Sequence, residues 1–427
     1  MNIVNLLKQL LFYHDLRRRV VIVLLLLLFF RLLANIPLPD IDRQSISNFF
    51  TGKSFLGLFD LFAGGALSNF SLVMLGLGPY ITATIILQIL TFVYPRLKEM
   101  YYEEGEIGRA KFMQYARIIT IPLAFLQALG WINFLIANNI VPFNGYINLV
   151  KDALLVTVGT MILMWIGELI TEQKLGNGIS LIIFSGIVSH MPQVIYKAYL
   201  DISNFNVVII QSYLLFLALA LLVIVGIIFI NEAERRVPLT FAKRVRGNRI
   251  YGGANTYLPI RLSQAGVIPI IFAIAVLLFP QTIFQLLAKS NWGFVSAILS
   301  SINSFLSNQL FFGFLYFILV FVFTYFYTSV AFNPDEIAKN LQNNGAFIPG
   351  VRPGKETQKY FKDTVFRLTF FGGLFLGFIA VLPYIFQYIT GVQYLSIGGT
   401  SILIIVSVAI ETVKQIRSEI SLRRYET

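Results

Sequence analysis

Apolar residues along this chain do not alternate with polar ones; they gather into long runs broken by charge, proline or glycine. Runs near 20–36, 72–92, 116–137, 153–171, 178–195, 207–231, 264–288, 309–332, 364–386 and 397–416 predict ten helical spans. A bilayer core takes roughly 20 apolar residues per helix, whereas a membrane barrel gives alternating segments of about ten. The first run follows Arg17, Arg18 and Arg19 as a signal sequence would. No small-residue cleavage site follows it, so a retained first span is expected. The expected fold class is all-α, a polytopic membrane protein of ten transmembrane helices.

One apolar stretch is too short to cross. FDLFAGGALSNF, Phe59 to Phe70, is interrupted by Gly64 and Gly65. Its length fits a re-entrant segment, tolerated where protein or water satisfies its backbone, or an amphipathic helix on the outer surface. The second span opens on Gly76-Leu-Gly78-Pro79 and the seventh on Gly266-Val-Ile-Pro269. Matching Gly/Pro breaks in the second member of each five-span set point to an internal repeat with the working site between halves. The halves are expected at 1–195 and 196–427, within one membrane domain, with large loops at about 231–261 and 333–363. Five spans per half makes the second half inverted.

Composition agrees with lipid as the solvent. Of 427 residues 57% are hydrophobic and 13% charged, against about a quarter charged in a soluble domain. Mean hydropathy is +0.75. The chain has no cysteine, and His14 and His190 lie far apart, which argues against disulfides, thiolate chemistry and zinc. Of the 33 Lys and Arg, 27 fall on the side of the termini, 5 on the other side, and Arg31 lies within the first span. The positive-inside rule then puts both termini in the cytoplasm. Loop 231–261 carries seven basic residues, more than orientation requires, and suits an RNA backbone or an acidic protein surface.

Several chemistries are missing. The tripeptide Gly52-Lys53-Ser54 lacks the upstream glycine of a phosphate-binding loop, since Ser47 stands there. Arg31, Glu168, Glu232, Glu411 and Lys414 fall toward span ends, where snorkelling suffices. The spans around Ile81, Ile183, Ile271 and Ile404 carry no ionisable group near their middles, unlike ion-coupled carriers. Small, uncharged and branched apolar side chains there suit a pore closed by dewetting.

The chain carries FFRLLANIPLPDID from Phe29, LFAGGALSNFSLVMLGLGPYITATIILQILT from Leu61, EGEIGRAKFMQYAR from Glu104 and GELITEQKLGNGISLIIFSGIV from Gly167. AGVIPIIFA from Ala265, FNPDEIAKNLQNNGAFIPGVRPG from Phe332 and GGTSILI from Gly398 complete a collinear set. This set resembles the SecY family, whose members form the channel of the Sec protein translocon. The resemblance implies a passive channel of two pseudo-symmetric halves, closed by a plug, constricted by isoleucines and able to open sideways into lipid. The plug helix falls on 59–69, with Phe59, Phe62, Gly64, Gly65 and Leu67. The ring falls on Ile81, Ile85, Ile179, Ile183, Ile271 and Ile404. Both i, i+4 pairs share a helix face, and isoleucine is stiff and offers a passing backbone no hydrogen bond. Without the resemblance, ordinary helix packing is the preferred reading of every one of these residues.

The resemblance also implies a lateral gate between spans two and three and spans seven and eight. Thr84, Gln88, Gln127, Ser263 and Gln264 are its polar candidates, with Ser263 standing where relatives often carry Asn. Interhelical hydrogen bonds in lipid are worth only about 1 kcal/mol, which suits a gate. Arg235, Arg236, Lys243, Arg244 and Arg249 match the family's basic loop, and Arg352 its Pro-Gly-x-Arg-Pro-Gly motif. Arg352 could instead brace the turn built by Pro349, Gly350, Pro353 and Gly354. Implied partners are SecE, SecG, the motor ATPase SecA, the ribosome, signal sequences, unfolded secretory polypeptides and membrane lipids, at the bacterial plasma membrane. No cofactor and no enzymatic activity are expected. The competing expectation is an inverted-repeat secondary transporter for a small substrate; an intramembrane protease lacks any His/Asp/Ser or paired-carboxylate constellation within the spans.

Overall fold

The computed structural model describes residues 13–39, 60, 63–67, 69–137, 140–143, 145–203, 207–241, 244–246, 249–251, 255–264, 266, 268–287, 309–390 and 393–426. Each predicted span coincides with a helix: α1 (His14–Asn35), α2 (Gly78–Val93), α4 (Gly105–Ala137), α5 (Tyr146–Glu172) and α6 (Gly178–Ser203) in the first half of the chain. In the second half they are α7 (Val207–Glu232), α8 (Ile268–Leu287), α9 (Gln309–Ala331), α11 (Lys355–Thr390) and α12 (Gln393–Glu426). Two short helices, α3 (Pro95–Tyr102) and α10 (Pro334–Asn343), lie between them. Among the described residues six helices are long and apolar enough to cross a membrane, or seven if α2 and α3, bent by 112°, make one span.

The helices run past the boundaries that hydropathy predicts, because apolar runs mark only the lipid-facing part. α4 starts eleven residues before the predicted 116, and α11 begins at Lys355 rather than 364. The second span starts later, at Gly78, because 72–77 form turns and Gly76 sits at φ 56°, outside the helical region. The loop expected at 231–261 is a β-ladder. Strand β1 (Glu234–Phe241) pairs antiparallel with β4 (Asn255–Arg261), Val237 opposite Leu258, and along its other edge with β5 (Ala346–Phe347). β2 (Arg244–Arg246) and β3 (Arg249–Tyr251) form a separate two-stranded pair. The alternation in ERRVPLTF buries Val237 and Leu239 while Arg236 and Pro238 face out. Val237, Leu239 and Ile260 pack on Ile348, Phe361 and Val365, so the ladder rests on the first turns of α11.

The membrane core is one continuous cluster running through the bundle, built around Trp131, Tyr80, Tyr316, Phe30, Phe70 and Phe112. Large apolar side chains also cover the outside. Leu214, Leu217, Leu221 and Val225 of α7 are all exposed, at spacings of three and four that place them on one helix face. A patch of that kind is untenable in water and ordinary against hydrocarbon. The protein is therefore a polytopic, mainly α-helical membrane protein.

Candidate functional site

The six candidate ring isoleucines sit on four helices, and local chemistry starts two of these in the same way. Gly76 at φ 56° turns the chain ahead of Pro79 and α2; Gly266 at φ 57° does so ahead of Pro269 and α8. Left-handed backbone favours glycine, and proline suits a first helical turn, whose N–H groups lack helical partners. α6 starts differently. Asn177 caps it by accepting from the backbone N–H groups of Ile179 and Ser180, at 3.0 and 3.3 Å. Gly178 lies so close to the Gly167 carbonyl of α5 that no side chain would fit, and its N–H donates to Thr171 Oγ1 at 2.9 Å. The Gly-Asn-Gly of the sequence thus fixes where Ile179 and Ile183 face.

Ile81, Ile85, Ile183, Ile271 and Ile404 are buried, Ile179 is partly buried, and all six join the continuous core. Their helices meet in pairs, α2 against α8 and α6 against α12. Each pair brings together helices from opposite halves of the sequence.

The candidate plug is folded against this bundle. Phe59 and Phe62 lie outside the described residues. Residues 63–67 form turns rather than the expected helix, because Gly64 and Gly65 have φ of 71° and 78°. Both glycines permit close contact: a side chain at Gly64 would strike the Phe30 ring, and one at Gly65 the His190 imidazole of α6. Ala63, Ala66 and Leu67 are buried. Past the plug, an isolated bridge between Pro37 and Ser71 ties the chain back to the end of α1.

Arg31 requires a correction. It does not snorkel from a span end. Its part-buried guanidinium donates to the Gly64 carbonyl of the plug at 2.5 Å and to the Gly186 carbonyl of α6 at 3.2 Å. Nothing in a hydropathy plot marks that role. Of the other span charges, Glu168, Glu232 and Lys414 are paired. Arg117 Nε reaches Glu168 Oε1 at 2.7 Å, and Lys414 Nζ reaches Glu232 Oε1 at 3.0 Å and donates to the Asn231 carbonyl at 2.8 Å.

At the candidate gate, α8 packs against α2, α4 and α9. Gln127 of α4 is buried. Thr84 Oγ1 donates within its own helix, to the Ile81 carbonyl at 2.8 Å, so that donor is already satisfied. Among the described residues Gln88 Oε1 and Ser263 Oγ are buried without a hydrogen-bond partner. Ser263 lies beside Gly372 of α11, and Gln264 is half-buried. Sequence reading missed one contact at the candidate gate: the rings of Phe92 on α2 and Phe326 on α9 stand 5.3 Å apart.

Of the basic candidates, Arg235 and Arg236 are exposed on β1. Arg236 Nε donates to Glu234 Oε1 at 2.9 Å and its guanidinium lies over the Tyr257 ring at 5.0 Å. The hydrogen bond to Glu234, and then the charges of Tyr257 and Glu234, push its pKa up. Arg244 and Arg249 lie on β2 and β3, and Lys243 lies outside the described residues. The Arg352 side chain is exposed, and its carbonyl accepts from Thr357 Oγ1 at 2.9 Å, with Gly350 and Gly354 at φ 82° and 100°. The turn is thus held by main chain and Thr357. Among the described residues no group of three or more metal-ligating side chains comes together.

Residues 71–413 match the SecY family model. The protein translocase subunit SecY of Synechocystis is 40% identical over 397 residues, 92% of this chain and 89% of that one. The SecY subunit of Aquifex aeolicus is 39% identical over 430 residues, 99% of this chain and 98% of that one. Two solved structures share the fold. One, of a SecY channel whose plug domain stabilises the closed state and maintains a membrane seal, has a TM-score of 0.65 at 18% identity, covering 92% of this chain and 90% of its own. The other, Sec61 in the canine ribosome-channel complex from the endoplasmic reticulum, has a TM-score of 0.59 at 16% identity, covering 93% and 91%.

Proposed function

The chain belongs to the SecY family, and we propose that it is a passive protein-conducting channel, moving unfolded secretory polypeptides across the membrane and releasing transmembrane segments sideways into lipid. The observation that carries this reading is the meeting of α2 with α8 and of α6 with α12, the four helices that carry the buried Ile81, Ile85, Ile183, Ile271 and Ile404. Branched aliphatic side chains exclude water and ions by dewetting yet yield to a polypeptide, for which they hold no binding group. In this reading the segment around Gly64 and Gly65 is the plug of that constriction, and α2 and α4 facing α8 and α9 form the gate. The repeated left-handed glycine and proline ahead of α2 and α8 support two halves, 1–195 and 196–427.

The channel has no catalytic residue of its own in this reading, and its driving force comes from partners. A ribosome is the first, supported by the Sec61 relative in its ribosome-channel complex, and the basic ladder around Arg235 and Arg236 is its contact. SecA would use Arg352, whose exposed planar fork suits a carboxylate. SecE and SecG would brace the bundle in the bacterial plasma membrane, with both termini cytoplasmic. Testing the reading requires a stalled secretory chain and a photo-reactive residue at position 81 or 404 in the reconstituted complex. Adducts from both positions are expected. Absence of adducts together with uptake of a small solute would favour the secondary transporter instead.

A further inference from the structure

Resting on the channel reading, we propose that Arg31 is the latch that sets how often the plug leaves its seat. Three separate pieces of chain meet at this guanidinium: α1, which carries it; the plug, through the Gly64 carbonyl at 2.5 Å; and α6, through the Gly186 carbonyl at 3.2 Å. A guanidinium has five donors in a fixed planar fork, so a single side chain can hold two carbonyls that face different ways. Both bonds are charge-assisted and lie in a part-buried site, where such bonds are stronger than between neutral groups. Asp60, at the entrance to the plug, acts electrostatically on the same guanidinium.

The surroundings are shaped to bring the plug within reach. Gly64 lies so close to Phe30 and to Gly186 that a Cβ would stand 2.7 Å from the ring and 3.1 Å from the Gly186 Cα. The Gly64 carbonyl therefore meets a guanidinium held between α1 and α6. The far end of the plug is tied by main chain, with the Leu38 N–H donating to the Phe70 carbonyl at 3.0 Å and the Leu72 N–H to the Ile36 carbonyl at 3.1 Å. These bonds tie the chain at 70–72, just past the plug, by contacts separate from that of Arg31. Removing the plug breaks the Gly64 bond, while the tether at 36–38 stays intact. Arg31 is accordingly a positioning residue for the closed state and does not touch the translocating chain.

The test compares ion conductance of the reconstituted complex in planar bilayers for the parent, Arg31→Gln, Arg31→Lys, a channel lacking residues 60–69, and that deletion combined with Arg31→Gln. Arg31→Gln should raise resting leak about tenfold, equivalent to ~1.4 kcal/mol in the closed-open equilibrium, and Arg31→Lys, with charge but no fork, should leak less. In the plug-deleted channel the Gln substitution should add nothing. A purely structural role would not show this dependence on the plug, and each variant's passage of a secretory chain reports that it is assembled. The latch is rejected if both substitutions seal like the parent, or if Gln adds its leak to that of the deletion. If Arg31→Gln fails to assemble, the same two comparisons on Arg31→Lys decide. Failure of the parent itself to pass a secretory chain would strike the channel reading, not the latch.

Discussion

The rings of Phe92 and Phe326 lie 5.3 Å apart with their planes tilted by 44°, and so join the C-terminal ends of α2 and α9. These helices flank the proposed gate from opposite halves of the chain. An aromatic pair of this kind is worth about 0.5–1.5 kcal/mol beyond the area it buries. Phe92→Ala or Phe326→Ala should therefore favour gate opening, and the double variant should do little more than either alone. Export of a precursor with a weakened signal sequence measures this. Unchanged export in both single variants would rule the contact out as part of the gate.

Gln88 supplies a test in the opposite direction. Among the described residues its Oε1 is buried without a hydrogen-bond partner, which costs about 1–3 kcal/mol in the state that buries it. Gln88→Leu keeps the bulk and removes the orphan oxygen, so the closed gate should gain stability and lateral release should slow. Time-resolved integration of a model transmembrane segment checks this. Faster integration would mean that Gln88 finds a partner in the closed state.

The isoleucine ring predicts a graded leak. Ile81, Ile85, Ile183, Ile271 and Ile404 are buried, and each isoleucine replaced by serine forfeits roughly 1.5–3 kcal/mol of apolar burial and offers water a hydrogen bond. Single Ile→Ser variants should leak slightly, and combined variants on α2 and α12 much more. Single-channel conductance with the plug intact and with it deleted separates the two seals. A triple variant that remains tight in the plug-deleted channel would remove these residues from the constriction.

How much of this was legible beforehand depended on how local each feature is. The ten spans, the broken segment at Gly64 and Gly65 and the paired breaks at Gly76 and Gly266 were readable, because each is written in adjacent residues. The β-ladder was not. ERRVPLTF and NTYLPIR alternate only weakly, and their apolar face has value only against Phe361 and Val365, a hundred residues on. Arg31 was misread for a related reason. Position along a span does not reveal that Gly64 and Gly186 will place two carbonyls beside it. Thr84 was readable as polar, yet its bond to the Ile81 carbonyl depends on a rotamer that sequence does not specify.

Gly65 tests the plug seat without altering a charge. Its φ of 78° costs a residue with a Cβ about 1–2 kcal/mol, and that Cβ would collide with His190 Nε2. Gly65→Ala should therefore unseat the plug and raise resting leak. Pairing it with His190→Ala opens the space but leaves the backbone cost, so the seal should return only in part. Conductance traces for the two variants distinguish the contributions. Complete recovery would assign the whole effect to the His190 contact.

The two basic surfaces should separate by partner. Arg235 is exposed on β1, and reversing it leaves the ladder core of Val237, Leu239 and Ile260 untouched. Arg235→Glu should weaken ribosome binding and lower the salt slope by about 1, as expected for loss of a phosphate contact. Arg236 is also tied to Glu234 and Tyr257, so Arg236→Glu should in addition loosen the ladder locally. Arg352 lies on a different turn, held by Thr357 and by main chain, so Arg352→Glu should leave that turn and ribosome affinity unchanged while reducing motor-dependent export. Sedimentation with ribosomes over a salt series, beside ATP-driven import into vesicles, resolves the two. If each reversal impaired both readouts equally, the surfaces would have to be a single docking site for competing partners.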